Sequence, residues 1–111
     1  MHDFVLFYSP GACSLAVHAA LEHAGAAYEA VNVDLRQKLQ LAPEYLRLNP
    51  QGRVPTLVVD GRPLTEAVAI ADFLDRRFPE AGLLPHGDFD RALALAAIQR
   101  LSSDIHPLYR A

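Results

Sequence analysis

Phe4-Val5-Leu6-Phe7-Tyr8 is a continuous apolar and aromatic run that stops at the turn-forming string Ser9-Pro10-Gly11. A short run of this kind reads as a buried strand. From Cys13 to Ala24, Ala and Leu dominate and no Pro or Gly intervenes, while Gly25 stands where a helix C′ residue would; this segment predicts a helix. Partial alternation and β-branched residues from Tyr28 to Leu35 predict a second strand over about Glu29–Val33. Strand, helix and strand within about 30 residues form a βαβ unit, so the two strands should run parallel with a right-handed crossover. Pro43 to Leu48 suits a short helix with Pro in its first turn. After the turn string Asn49-Pro50-Gln51-Gly52, the runs Val54–Val59 and Arg62–Thr65 flank Asp60-Gly61, a strong hairpin signal. Pro55 and Pro63 fit a strand start or an edge. Thr65 or Glu66 opens a helix from Ala67 to Arg77, with apolar residues at 67, 70, 71 and 74 on one face. Residues 79–87 are a linker rich in Pro and Gly. Asp88 caps a final helix running to about His106, with Leu93, Ala97, Ile98 and Leu101 on one side and Ala94, Leu95 and Ala96 broadening the stripe. A helix apolar nearly all round needs partners on more than one side, and no later element read from this sequence supplies them.

The order up to residue 79 is β-α-β-α-β-β-α, that of a thioredoxin-like α/β layer around a mixed four-stranded sheet. Composition adds limits. The 111 residues are 51% hydrophobic and 21% charged, with a net charge of −3, which excludes a disordered tail, a collagen-like repeat and a disulfide scaffold. No basic surplus points to nucleic acid or an anionic membrane. One cysteine cannot form an internal disulfide, in keeping with a reducing compartment. The N-terminus lacks the features of a signal peptide, and apolar runs such as Ala92–Ile98 are far too short to span a bilayer. The expectation is a soluble cytoplasmic protein.

Candidate chemistry concentrates at turns. Cys13 falls at the start of the first helix, where exposed N–H groups and the positive dipole end favour an anion. A thiolate there can fall from a pKa of about 8.5 toward roughly 3.5–7.5; read alone, a lone Cys is more often a small buried hydrophobe. Ala16 stands where a C-x-x-C pair would need its second thiol, which argues against dithiol exchange. Glu66 and Ala67 open a helix whose N–H groups suit a carboxylate, although a first-turn Glu also simply favours the dipole. Lys38, in a polar stretch, reads as a solvated side chain. His106 suits the C-terminal dipole of the last helix, or acid–base work near neutral pH. His18 and His23 are five apart, not the i, i+4 spacing of paired helix ligands, and no metal is expected.

Four strings resemble one family in order. Tyr8-Ser9-Pro10-Gly11-Ala12-Cys13-Ser14-Leu15 resembles the first turn of bacterial glutathione S-transferases, especially the beta class. Asn49-Pro50-Gln51-Gly52-Arg53-Val54-Pro55 resembles that family's loop before a cis-proline. Leu64-Thr65-Glu66-Ala67-Val68-Ala69-Ile70 resembles its turn for the γ-glutamyl carboxylate, and Asp104-Ile105-His106-Pro107-Leu108 the region of its active-site His. The resemblance implies glutathione as co-substrate, with Cys13 beside its sulfur, Tyr8 and Ser14 as alternative hydroxyls, and His106 as a donor near the thiol. It implies a cis bond between Val54 and Pro55 that aims the Val54 backbone at the cysteinyl part of the tripeptide. Glu66 would take the α-ammonium, the Ala67 N–H the γ-glutamyl carboxylate, and Lys38 the glycine carboxylate, with Gln51 and Arg53 in the same loop. Where many relatives carry a Ser, Ala67 has no hydroxyl, and Pro107 replaces the usual companion Lys.

By this resemblance, residues 1–79 are the thioredoxin-like glutathione-binding domain, 80–87 the linker, and 88–111 the first helix of a partial all-helical second domain. The implied activity is transfer of the glutathione thiolate to a small electrophile, or glutathione-dependent thiol–disulfide exchange through Cys13, in a homodimer. A non-catalytic glutathione-binding or interaction module, or an inactive fragment of a longer transferase, stays open as the alternative.

Overall fold

A computed structural model describes residues 4–10 and 12–104, with side chains at 4–10 and 14–101. Strand β1 (Phe4–Tyr8) leads to helix α1 (Ala12–Ala24), strand β2 (Tyr28–Asn32), a 3₁₀ turn (Leu39–Leu41) and helix α2 (Pro43–Leu48). The hairpin of β3 (Thr56–Val59) and β4 (Arg62–Thr65) follows, then helix α3 (Ala67–Arg77), a second 3₁₀ turn (Pro79–Ala81) and helix α4 (Asp88–Asp104). The sheet order is β2-β1-β3-β4; β1 runs parallel to β2 and antiparallel to β3, and β3 antiparallel to β4. This is the mixed four-stranded, thioredoxin-like arrangement expected from the order of elements. The expected ends of α3 and α2 agree with the structure, as does the end of α1; the start of α1 and both ends of β2 shift by one residue. The first hairpin strand begins at Thr56 rather than Val54, because Pro55 has no N–H to give a ladder; the Val54–Pro55 bond is cis.

Alternation along β1 divides the core. Phe4 and Leu6 point to one face, where Val17 and Leu21 of α1, Leu57 and Val59 of β3, and Ile70 and Leu74 of α3 close the main cluster. Phe7 points to the other face and meets the ring of Tyr45 on α2, 5.9 Å between centroids. Leu6, Leu21, Leu57, Ile70 and Leu74 are fully buried, each contributing about 1.5–3 kcal/mol by removal from water. Two turns show why the chain reverses where it does. The N–H of residue 25 bonds to Glu22 O and that of Ala26 to Leu21 O, both at 3.1 Å, the paired bonds of a Schellman ending to α1. Asp60 and Gly61, at φ 50° and 84°, supply the two positive φ angles of a I′ hairpin turn.

The last helix is tied to α3 by charge. Arg91 Nη1 donates to Asp75 Oδ2 at 2.5 Å and Nη2 to Asp72 Oδ1, while Asp75 Oδ1 accepts the Leu84 N–H at 3.1 Å. The apolar residues of α4 divide between two faces instead of sharing one side. Ile98 turns inward beside an open apolar trough of about 520 Å³, lined among others by Ala16, Ala20, Ala71 and Leu84. Phe89, Leu93 and Leu101 are exposed. Among the described residues no helix is long and apolar enough to cross a membrane.

Candidate functional site

Sheet register gathers the predicted residues at one end of the sheet. Phe7 pairs with Thr56, and Thr56 with Thr65. The exit of β1 therefore lies beside the entry of β3 and the exit of β4, and the parallel β2 leaves at the same end. Helix α1 starts from the first of these points and α3 from the third, so two helix N-termini flank the cis Val54–Pro55 bond.

The first turn is closed by its own residues. The Ser9 N–H donates to Ser14 Oγ at 3.3 Å, and both serines are buried. The Ser14 hydroxyl is thus engaged in shaping the start of α1. Cys13 is the second residue of that helix; its side chain lies outside the described residues. Tyr8 ends β1, and its ring meets His18 edge to face.

The loop before Pro55 is held from beneath by a polar cluster. The Tyr45 hydroxyl donates to Arg53 O and receives the Thr56 hydroxyl at 2.7 Å; Asn49 Nδ2 donates to Arg53 O at 3.0 Å, and Asn49 Oδ1 accepts the Gln51 N–H at 3.0 Å. A phenol has one proton to give, so Thr56 must be the donor in its pair. Burial raises the Tyr45 pKa, against the opposing pull of its bonds with Thr56 and Asn49. Residue 52 sits at φ 64° where a Cβ would come within 3.1 Å of Leu41 Cδ2 and 3.2 Å of Gln40 O, so a side chain there would be both strained and crowded, and Gly avoids both. Removing the Tyr45 hydroxyl leaves the buried Thr56 hydroxyl without its acceptor and Arg53 O with Asn49 alone. Tyr45→Phe is expected to cost about 1–3 kcal/mol in a urea melt.

At the start of α3, Glu66 is exposed at φ 73° and ψ 121° with no side-chain capping bond. A non-glycine residue at positive φ costs about 1–3 kcal/mol, and such strain collects at ligand sites. The first helical bond runs from the Ile70 N–H to Glu66 O at 3.0 Å, leaving the N–H groups of Ala67, Val68 and Ala69 without intrahelical partners. Ala67 is buried.

Lys38 and Gln51 are exposed on the connection between β2 and β3, Lys38 in the left-handed conformation at φ 58° ahead of the first 3₁₀ turn. On the same connection, Gln40 Oε1 and Arg53 Nε are buried without a hydrogen-bond partner. Ser14, Val54, Pro55, Glu66, Ala67 and the backbone of Cys13 thus share one end of the sheet, with Lys38 and Gln51 on the loops leaving it. His106 lies outside the described residues. Among the described residues, no group of three His, Cys, Asp or Glu is placed to hold a metal. Sequence reading missed Tyr45, Asn49 and Thr56. Their signal was a Tyr on the inner face of a short helix four residues before an Asn-Pro turn, which reads as ordinary packing until the fold brings Thr56 beneath it.

Residues 3–76 match the family described as glutathione S-transferase, N-terminal domain. The chain is 42% identical to maleylacetoacetate isomerase of Rhizobium meliloti over 108 residues, which is 96% of this chain and 51% of that protein. It is 39% identical to glutathione S-transferase GstA of Escherichia coli O157:H7, covering 95% of this chain and 56% of the relative. Among solved structures, a glutathione transferase homologue from Sulfitobacter with bound glutathione superposes with a TM-score of 0.84 at 38% identity, over 93% of this chain and 50% of the other. A sphingomonad glutathione S-transferase complexed with glutathione gives 0.74 at 44% identity, over 93% and 53%. The chain spans about half the length of the curated relatives it matches.

Proposed function

The chain belongs to the glutathione S-transferase family, and from that premise we propose that it is the glutathione-binding half of a glutathione-dependent transferase. The observation that carries the reading is the convergence, at one sheet end, of the cis Val54–Pro55 bond and the N-termini of α1 and α3. The tripeptide lies as an extended strand against the Val54 backbone. Its γ-glutamyl carboxylate sits on the N–H groups opening α3, and its ammonium on Glu66. Its thiol faces the start of α1 and Cys13. Lys38, Gln51 and Arg53 receive the glycine end; the two partnerless polar atoms on that connection fit a polar ligand there. His106 is the acid–base candidate at the thiol, with Tyr8 and Ser14 as alternative hydroxyls. Ser14 is the weaker of these two, since its hydroxyl already holds the Ser9 N–H.

Relatives named for two reactions, an isomerase and a transferase, match over the same half. This supports assigning the shared task, holding glutathione, to the shared half. The electrophile and the reaction type are then set by what lies beyond it. The reaction proposed for the whole protein is attack of the glutathione thiolate on a small electrophile, or thiol–disulfide exchange through Cys13. Residues 1–79 form the glutathione domain, 80–87 the linker, and 88–111 begin a second, helical domain. The exposed outer face of α4 and the open trough beside it are what a first helix awaiting neighbours presents. We place the protein in the cytoplasm, as a homodimer in its complete form.

Calorimetric titration with glutathione tests the binding. Saturable one-site binding is expected, weakened roughly tenfold in Glu66→Ala by loss of one charge-assisted hydrogen bond of about 1.5 kcal/mol. No measurable heat and no displacement by glutathione of an S-substituted analogue would remove the reading.

A further inference from the structure

A chain of side chains crosses the seam between α1, β1 and β2. Glu22 and His18, one turn apart on α1, both reach Tyr28 at the start of β2. The Tyr28 hydroxyl donates to Glu22 Oε2 at 2.8 Å and lies 3.2 Å from His18 Nδ1. With its single proton given to Glu22, the hydroxyl can only accept from His18. Nδ1 therefore carries the hydrogen, and Nε2 of the neutral ring is bare. Burial first, and then Glu22, push the Tyr28 pKa up to about 12, so the phenol keeps its proton. The ring fixed in this way meets Tyr8 edge to face, 4.5 Å between centroids at 80°, an arrangement that aromatic rings favour. Tyr8 is the last residue of β1. Its carbonyl accepts the Val33 N–H at 2.6 Å, and the next residue, Ser9, makes the bond that closes the turn into α1.

We propose that His18 is a positioning residue: held by Glu22 and Tyr28 as the Nδ1–H tautomer, it clamps Tyr8 and, through it, the β1–α1 turn that presents Cys13 to glutathione. The ligand's identity rests on the reading given under Proposed function; the clamp itself does not.

The test compares the full chain with Tyr28→Phe, which keeps both rings and removes the hydroxyl that orients His18. Nitrogen-15 NMR reads the tautomer, amide hydrogen exchange at Ser9 reads the turn, and glutathione titration reads the site. The variant should lose the Nδ1–H signature. Its Ser9 exchange should accelerate roughly tenfold while Ile70 in α3 is unchanged, as for a local opening. Its Kd for glutathione should rise roughly three- to tenfold. His18→Phe, which retains an aromatic ring against Tyr8 without the hydrogen bond, should fall between wild type and Tyr28→Phe in Ser9 exchange, and it carries the test should Tyr28→Phe fold poorly. An Nε2–H tautomer in the wild type, unchanged Ser9 exchange, or equal acceleration at Ser9 and Ile70 overturns the clamp. Absence of glutathione binding by the wild type overturns the functional reading instead, and leaves the tautomer and Ser9 exchange to decide on His18.

Discussion

Asp75→Ala is expected to lower the unfolding free energy by about 1–3 kcal/mol, the cost of leaving a buried hydrogen-bonding group unsatisfied. The size follows from what the carboxylate does. Its side chain is 9% exposed, against 21% for Arg91 and 35% for Asp72. It holds Arg91 through one oxygen and the buried Leu84 N–H through the other. Truncation leaves that amide unpaired and Arg91 with Asp72 alone. A domain of this size is stable by only about 5–15 kcal/mol, so the loss should be plain in a urea melt. Asp72→Ala, whose carboxylate is a third exposed and also paired with the exposed Arg76, should cost under about 1 kcal/mol. Equal costs for the two variants would show that the buried position of Asp75 does not set its contribution.

The same cluster sets an acid response. Hydrogen bonds from Arg91, with Arg76 second for Asp72, hold both carboxyls below their ordinary value. Groups whose folded pKa is depressed contribute stability above the unfolded pKa of about 3.9 and lose it as pH falls through the folded pKa. Wild type should therefore lose stability steeply below about pH 4. Arg91→Met, in which both carboxyls return toward ordinary values, should start less stable and fall more gently.

Where the sequence punctuates itself, the fold was legible. Pro43, Asp60-Gly61 and the 67, 70, 71, 74 stripe set the ends of α2, the hairpin and α3. The entry to β3 was misjudged by two residues because an apolar run says nothing of which member can donate to a ladder. The cis bond was legible only through the resemblance, since a cis X-Pro bond is uncommon, about 5–6% of cases. Asp72 and Asp75 could be seen as acidic positions on one turn of α3. Their partner Arg91 could not be, because the linker's path decides which cation reaches them. His18 was dismissed on a spacing test for metal ligands. Its partners Tyr8 and Tyr28 lie ten residues away on either side, and only the parallel pairing of β1 and β2 brings them together. Local pattern thus revealed the scaffold and the motif-bearing turns, while the contacts that hold those turns depend on tertiary closure.

Cys13→Ser is expected to abolish mixed-disulfide formation with glutathione outright. Cys13 is the chain's single cysteine, so an adduct formed with glutathione disulfide can sit nowhere else. As the second residue of a thirteen-residue helix, it belongs to the first turn, where N–H groups lack intrahelical acceptors and the dipole favours negative charge. A field of this kind is expected to lower a thiol pKa from about 8.5, and a larger thiolate fraction near neutral pH would speed attack on a disulfide. The neighbouring Ser14 Oγ is engaged in the turn, accepting the Ser9 N–H. Glutathione affinity itself should change less than about threefold in Cys13→Ser, since the proposed Val54, Glu66 and Ala67 contacts remain and the substitution removes no charge from them. Intact-mass measurement after incubation with glutathione disulfide should show one adduct in wild type and none in the variant. Alkylation across pH should give a wild-type midpoint below about 8.5. A wild-type chain that binds glutathione but forms no adduct, or whose thiol titrates at or above that value, would make Cys13 a packing residue and leave the sulfur chemistry to Tyr8, Ser14 or His106.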